Sequence, residues 1–329
     1  MRIALAGPPG GGRTTLFRAL AGSRSADSSS PLTVQVPDAR VDFLAEIWHP
    51  RKIVHTSIVF TDTPSPAFSP KSLADLRDAS VIALVLDNYA CGTAAADFLE
   101  CESEMIIADL SVIEKRMERL TKEGRSKTLE AKVLEEASSL LSDGKALRTG
   151  AFDQDALVIL SPFAPLTLKP LFVVSNRADA PLSDEAPLLE HCGKASAKCF
   201  PVNAAFELEL TEIPEDERED FLESMGYSET GLTRLVKGAF EALDLIVFLT
   251  MGHDEVRAWP LARGSSAVEA AGRIHTDLAR GFIRAQVVPY ADFHACPDMQ
   301  KLKERNLVRL EGRDYVVGDG DILEIRFSV

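Results

Sequence analysis

A chain of 329 residues is too long for one small core and implies two or three domains. Its 46% hydrophobic and 26% charged residues are those of an ordinary soluble globular protein, and no apolar run approaches the ~18 residues that a membrane helix needs. A net charge of −14 argues against general electrostatic nucleic-acid binding.

The first residues, MRIALAG, turn to glycine too soon for a signal-peptide core and read as a buried strand over residues 3–6. Cysteines stand at Cys91, Cys101, Cys192, Cys199 and Cys296, with no C-x-x-C pair. That spacing points away from a disulfide framework or zinc site and toward a reducing cytoplasm, with all five expected as small buried thiols. Residues 58–62, 81–87 and 171–176 are further short aliphatic runs bounded by turns. With helical segments between them, they predict an α/β fold on a parallel sheet covered on both faces.

The stretch GPPGGGRTTLF, Gly7 to Phe17, follows the first strand and opens a helix near Arg13. It matches the phosphate-loop pattern G-x-x-x-x-G-K-[ST] except that Arg13 replaces the lysine. Gly7, Pro8, Pro9, Gly10, Gly11, Gly12, Arg13, Thr14 and Thr15 are therefore candidates to cradle phosphate with backbone N–H groups at a helix N-terminus. Thr14 is placed to ligate Mg²⁺, and Asp62, ending the second aliphatic run, is the candidate carboxylate on the metal side. The D-x-x-G continuation would put glycine at Ser65. Arginine is bulkier than lysine and forked, so Arg13 is expected either to crowd the γ-phosphate or to point away.

Residues 97–151 change texture. Ile106, Leu110, Ile113, Met117 and Leu120 recur at spacings of 4, 3, 4 and 3, a heptad seam. A break follows at residues 122–126, and Leu129, Val133, Leu140 and Leu147 mark a second helix. The two predict an antiparallel helical coiled-coil hairpin, with two ordinary core helices as the alternative. Further on, Asn176-Arg177-Ala178-Asp179 resembles the base-reading N-K-x-D motif, with Arg177 stacking in the lysine's role. Asn203 and Ala204 fall where a last base-contacting loop is expected. From Glu207 to Glu229 there are ten carboxylates and one base, Arg218, which reads as a solvated helix and loop or a dock for a basic partner. After residue 244 short strands are expected at 283–288, 308–310, 315–317 and 323–327, with a hairpin turn at 318–321 and a helix over 267–272. This part is close to neutral, and Trp259 is expected to pack, with His275 and Asp277 a polar pair.

These residues resemble the YchF, or Obg-like ATPase, family of P-loop NTPases. The likeness runs through VPDARVDFLAEIWHPRKIV (Val36–Val54), ESEMIIADLSVIEKRMERL (Glu102–Leu120), TMGHDEVRAWPLARGSSAVEAAGRIHTDLARGFIRAQVVPY (Thr250–Tyr290) and RLEGRDYVVGDGDILEIRFSV (Arg309–Val329), nearly the whole chain. The resemblance implies a P-loop G domain at 1–96 and 152–244, the helical insert at 97–151, and a C-terminal β-grasp, TGS-like domain at 245–329. It also implies ribosome or RNA association through insert and TGS-like domain, and ATP preferred over GTP. Three departures cluster at the chemistry: Arg13 for the family's lysine, the shortened 23–32 for its first switch, and DTPSPAFSPKSL for its second. Asp179 for the family's glutamate moves the base motif toward guanine. The expected function is purine nucleotide (ATP or GTP) binding with Mg²⁺ and weak or no hydrolysis, in the cytoplasm and off membranes. An active Mg²⁺-dependent NTPase and a scaffold that binds no nucleotide are the alternatives.

Overall fold

The computed structural model describes residues 1–22, 30–63, 68–178 and 184–328. Among them the strands are β1 (Arg2–Ala6), β2 (Leu32–Gln35), β3 (Lys52–Val54), β4 (Ser57–Asp62), β5 (Val81–Asp87), β6 (Leu171–Asn176), β7 (Lys198–Val202), β8 (Leu245–Thr250), β9 (Glu255–Ala262), β10 (Phe282–Pro289), β11 (Arg309–Glu311) and β12 (Asp321–Phe327). The chain divides into two compact units, residues 1–34 with 58–235, and residues 35–57 with 236–329.

The first unit is built on a sheet in the order β2-β4-β1-β5-β6-β7, in which β4, β1, β5, β6 and β7 run parallel. β5 and β6 are buried along their whole length, which is why their sequences are unbroken rather than alternating. The edge strands were not legible: β2 is four residues long, and β7 carries a proline and buries only Val202 fully. Helices of this unit are α1 (Arg13–Ala21), preceding the α2 (Ala39–Trp48) of the other unit, then α3 (Pro70–Asp78), α4 (Ala94–Lys122), α5 (Leu129–Ser142), α6 (Gln154–Leu160), α7 (Ala186–Lys194), α8 (Ala204–Leu210) and α9 (Arg218–Ser224). One face of the sheet, with Ala4, Ile82, Leu84 and Val173, packs on Leu76 of α3, Phe98 and Met105 of α4, and Leu188 of α7.

The hairpin forms, and its first helix serves two cores. Phe98, Cys101 and Met105 belong to the sheet's core, whereas Ile106, Leu110, Ile113, Met117 and Leu120 face α5 as the spacing predicted. The second helix differs from the expectation. α5 ends at Ser142, and Leu147 is buried in a separate short turn. Leu129 is 59% exposed, and the buried stripe is Val133, Leu134, Ala137 and Leu141. Leu129 begins α5 directly after the Thr128 cap, before the helix has turned its face to α4. A buried pair also ties the hairpin base: Arg148 hydrogen-bonds Glu102 of α4, the Ala195 carbonyl and the Thr167 carbonyl. Asp109 of α4 is fully buried and accepts from Arg77, Leu166 N–H, and the N–H and hydroxyl of Thr167.

Two further expectations fail. Cys91 is exposed rather than buried, because Asp87 gathers the N–H groups of Tyr89, Ala90 and Cys91 into a surface turn. Glu207 is not part of a solvated face: it is 5% exposed and accepts from the N–H of Gly231 at 2.5 Å.

The second unit is a sheet in the order β11-β10-β12-β8-β9-β3, gripping α10 (Gly231–Ala242) in part, α2, and α11 (Ala267–Ile274). β8 is buried on both faces by simple alternation. Ile246 and Phe248 meet Ala267, Ala270 and Ala271 of α11, while Val247 and Leu249 meet Val41 and Leu44 of α2. Residues 35–57 therefore belong with the β-grasp unit and not with the G domain, where sequence order had put them. β3 confirms the placement by pairing parallel to β9 through Ile53 and Val256. Arg40 at the start of α2 clamps Asp38 and, at 2.9 Å, Asp319. Residues 315–317 form no strand, only a bridge from Val316 to Ser266, so the 318–321 turn leads into β12 without a hairpin partner. Trp259 packs as expected, donating to the Thr250 hydroxyl at 3.0 Å under the Arg257 guanidinium. His275 caps the next helical turn by accepting from the Asp277 N–H.

Candidate functional site

The C-terminal edge of the parallel sheet gathers the candidates from β1, β4, β6 and β7. Gly7 leaves β1 with φ 136°, and a Cβ there would overlap the Val85 carbonyl oxygen of β5. Gly12 has φ 89°, and its Cβ would run into the Asn176 amide. Only glycine lets the loop lie this close to its neighbours with these dihedrals. α1 then begins at Arg13 with no side-chain cap and no acidic residue in its first turn. Its N-terminal donors and positive dipole end are left for an outside acceptor. Pro9, Gly10 and Thr14 are exposed, Thr15 half-buried, and Gly11 buried.

Arg13 points away from the cradle. Its Nε lies 2.5 Å from Asp62 Oδ1, and its Nη1 donates to the Gly7 carbonyl at 3.3 Å. The two side chains are 13% and 7% exposed. Thr14 lies near the same carboxylate and favours its charged form. Burial pushes the Asp62 carboxyl above its usual range, with Arg13 and Thr14 acting against it. Both residues read from the sequence as Mg²⁺-side donors are thus close together, but the carboxylate is engaged by a guanidinium.

Asn176 is buried and structural. Its amide donates to the Gly11 carbonyl, and its Oδ1 accepts from the Ala204 N–H, each at 3.1 Å. It ties the phosphate loop to the turn after β7. Arg177 donates its backbone N–H to Val202 O and pairs with Glu185 at 3.3 Å. Asn203 caps α8 by accepting from the Phe206 N–H at 3.1 Å. Asp179, Ser65 and residues 23–29 lie outside the described residues. A cleft of about 170 Å³ opens beside Arg177 and Asn203, walled by Phe206, Tyr227, Thr230 and Arg234. The rings of Phe206 and Tyr227 lie 5.7 Å apart. These walls escaped the sequence reading: they follow no phosphate or base motif, and the approach of Tyr227 to Phe206 is a tertiary contact. A second cleft of about 330 Å³ adjoins Pro8 and Pro9, but Asp97, Glu100 and Glu104 make it repel phosphate. Among the described residues no cluster of three or more His, Cys, Asp or Glu could hold a metal, and no helix is long and apolar enough to cross a membrane.

The YchF-GTPase_C family model, described as "Protein of unknown function", matches residues 245–328. The chain is 34% identical to the ribosome-binding ATPase YchF of Haemophilus ducreyi, over 100% of this chain and 99% of that protein. It is 32% identical to the ribosome-binding ATPase YchF of Bacillus subtilis, over 99% of this chain and 98% of the relative. The fold is similar to that of the Schizosaccharomyces pombe YchF GTPase, with a TM-score of 0.88 at 23% identity, covering 99% of this chain and 97% of that one. At 34% and 32% identity over essentially its whole length to proteins of that name, the chain belongs to the YchF family.

Proposed function

We propose that this chain binds a purine nucleotide, with its phosphates in the loop of residues 7–15 and its base toward Arg177, Asp179, Asn203 and Ala204, and hydrolyses it weakly or not at all. The observation that carries the reading is the loop itself. Gly7 and Gly12 hold left-handed dihedrals in close contact with β5 and β6, at the uncapped start of α1. Such glycine-dependent geometry, held at a helix N-terminus, is what an anion site uses. The cleft between Arg177 and Tyr227 supplies aromatic and guanidinium surfaces suited to a flat base.

The relatives' names, ribosome-binding ATPases, support the ribosome as the macromolecular partner of this chain. ATP or GTP with Mg²⁺ would be the ordinary ligand of such a loop. In this chain Thr14 and Asp62 do not fit a divalent cation as they stand, because the Arg13 guanidinium engages the carboxylate. Weak turnover follows from the same contact: the cation that should meet the β- and γ-phosphates is turned onto Asp62.

Calorimetric titration of the full chain with ATP, GTP, ADP and GDP tests the reading. Binding of any of the four supports it, and the order of affinities fixes the base. Steady-state hydrolysis is expected at or below roughly 10⁻³ s⁻¹, near the intrinsic rate of a GTPase without its activator. Faster turnover would favour the active enzyme, and absence of binding the scaffold.

A further inference from the structure

In a lysine-type phosphate loop, two cations face the phosphates: the ammonium and a divalent ion held by the loop hydroxyl and, through water, the strand-end carboxylate. Here a guanidinium already sits on the carboxylate. The Arg13 guanidinium lies 2.5 Å from Asp62 and 3.3 Å from the Gly7 carbonyl, with Thr14 near the same carboxylate. Arg13 Nε and Asp62 Oδ1 are both buried, and their contact is an ion pair without hydrogen-bond geometry.

Three consequences follow from charge and geometry. A divalent ion entering between Thr14 and Asp62 would sit against a guanidinium whose side chain is 13% exposed, and like charges this close repel. The guanidinium cannot relieve this by losing its proton. If displaced, it would also leave its positive charge at the helix N-terminus, where the dipole already disfavours a cation. The charge balance changes too. Ammonium, divalent ion and carboxylate together leave two positive charges for the phosphates, whereas guanidinium and carboxylate leave none. The backbone N–H groups of the loop and the start of α1 remain, which suffice for the phosphate seated in the cradle but offer nothing beyond it.

We propose that Arg13 is a built-in counter-ion that replaces the divalent cation, so that the site takes a purine nucleoside diphosphate without metal and gains nothing from a γ-phosphate. This rests on the nucleotide reading above. Arg13 is then the residue that sets both metal dependence and the number of phosphates accepted.

The test is calorimetry of the full-length chain with ADP, GDP, ATP and GTP, each in excess MgCl₂ and in excess EDTA, repeated on Arg13→Lys. Wild type should bind its preferred diphosphate with a Kd that differs by no more than about two-fold between the two buffers, and its triphosphate no more tightly. Arg13→Lys, which can reach the phosphates and free Asp62, should bind triphosphate at least about ten-fold more tightly with Mg²⁺ than with EDTA. Wild-type binding that needs Mg²⁺ by about ten-fold or more overturns the counter-ion and leaves nucleotide binding intact. So does a triphosphate preference of that size. No binding of any nucleotide in either buffer overturns the nucleotide reading and the inference with it. The wild-type comparison decides even if the variant does not fold.

Discussion

Glu207 shows what a single residue does against its composition. It belongs to a run of carboxylates, yet its Oε1 accepts from the N–H groups of Gly231 and Leu232. Burial pushes its carboxyl above the ordinary value of 4.5, and the two N–H groups act against that shift. The folded chain therefore holds this proton more tightly than the unfolded chain does. Its contribution to stability falls as pH rises from 4.5 toward the raised folded value, and stays at that lower level above it. Glu207→Gln keeps the acceptor oxygen and removes the charge. The denaturant midpoint at neutral pH should stay or rise, and this part of the pH slope should flatten. Glu207→Ala leaves the buried Gly231 N–H and the half-buried Leu232 N–H without this acceptor and should cost about 1–3 kcal/mol. Unfolding curves over a pH series check both, and a Gln variant as unstable as the Ala variant would refute the assignment. Asp87 has the opposite sign. Burial raises its carboxyl, but the N–H groups of Ala90, Tyr89 and Cys91 outweigh burial and hold it below 3.8. That stabilisation is present above 3.8 and is lost as pH falls through the lower folded value.

At the scale of the element, spacing predicted α4 well and α5 poorly, for a physical reason. The 4-3-4-3 repeat from Ile106 to Leu120 spans four turns, enough to define a face by itself. α5 has 14 residues, and its apolar positions fit more than one stripe. Which stripe is buried depends on how α5 lies against α4 and α6, and Ala156 and Leu160 of α6 complete that core. Leu134→Ala should therefore cost roughly 2–5 kcal/mol, whereas Leu129→Ser should stay within about 0.5 kcal/mol. Equal losses for the two would restore the stripe read from the sequence. The phosphate loop was legible at this scale because its glycines, hydroxyls and helix start lie in one continuous segment. Direction was not: nothing in GRTT tells Arg13 to turn to Asp62, a residue of another strand.

At the scale of the whole molecule, residues 35–57 are separated in sequence by residues 58–235 from the sheet they complete. Val41 and Leu44 are fully buried against Val247 and Leu249. Leu44→Ala should destabilise this unit by about 2–5 kcal/mol. Amide hydrogen exchange should show faster exchange in Leu245–Thr250 and Glu255–Ala262. A fragment of residues 245–329 alone should expose the Val247–Leu249 face and bind an apolar dye. Adding residues 35–57 in trans or by fusion should reduce that binding, and a fragment as stable as the full chain would refute the bipartite unit. The sequence by itself determined what is carried by local periodicity and contiguous motifs: the buried parallel strands, the long helix of the hairpin, the phosphate loop and the β-grasp helix. Each is a pattern of neighbours along the chain, set by backbone period and glycine freedom. Only the tertiary structure decided that residues 35–57 cover the β-grasp sheet, that Glu207 is buried, that Asn176 braces the loop, and that Arg13 is spent on Asp62. Those outcomes depend on groups far apart in sequence meeting where water is excluded, and there pairing and burial outweigh anything a local segment specifies.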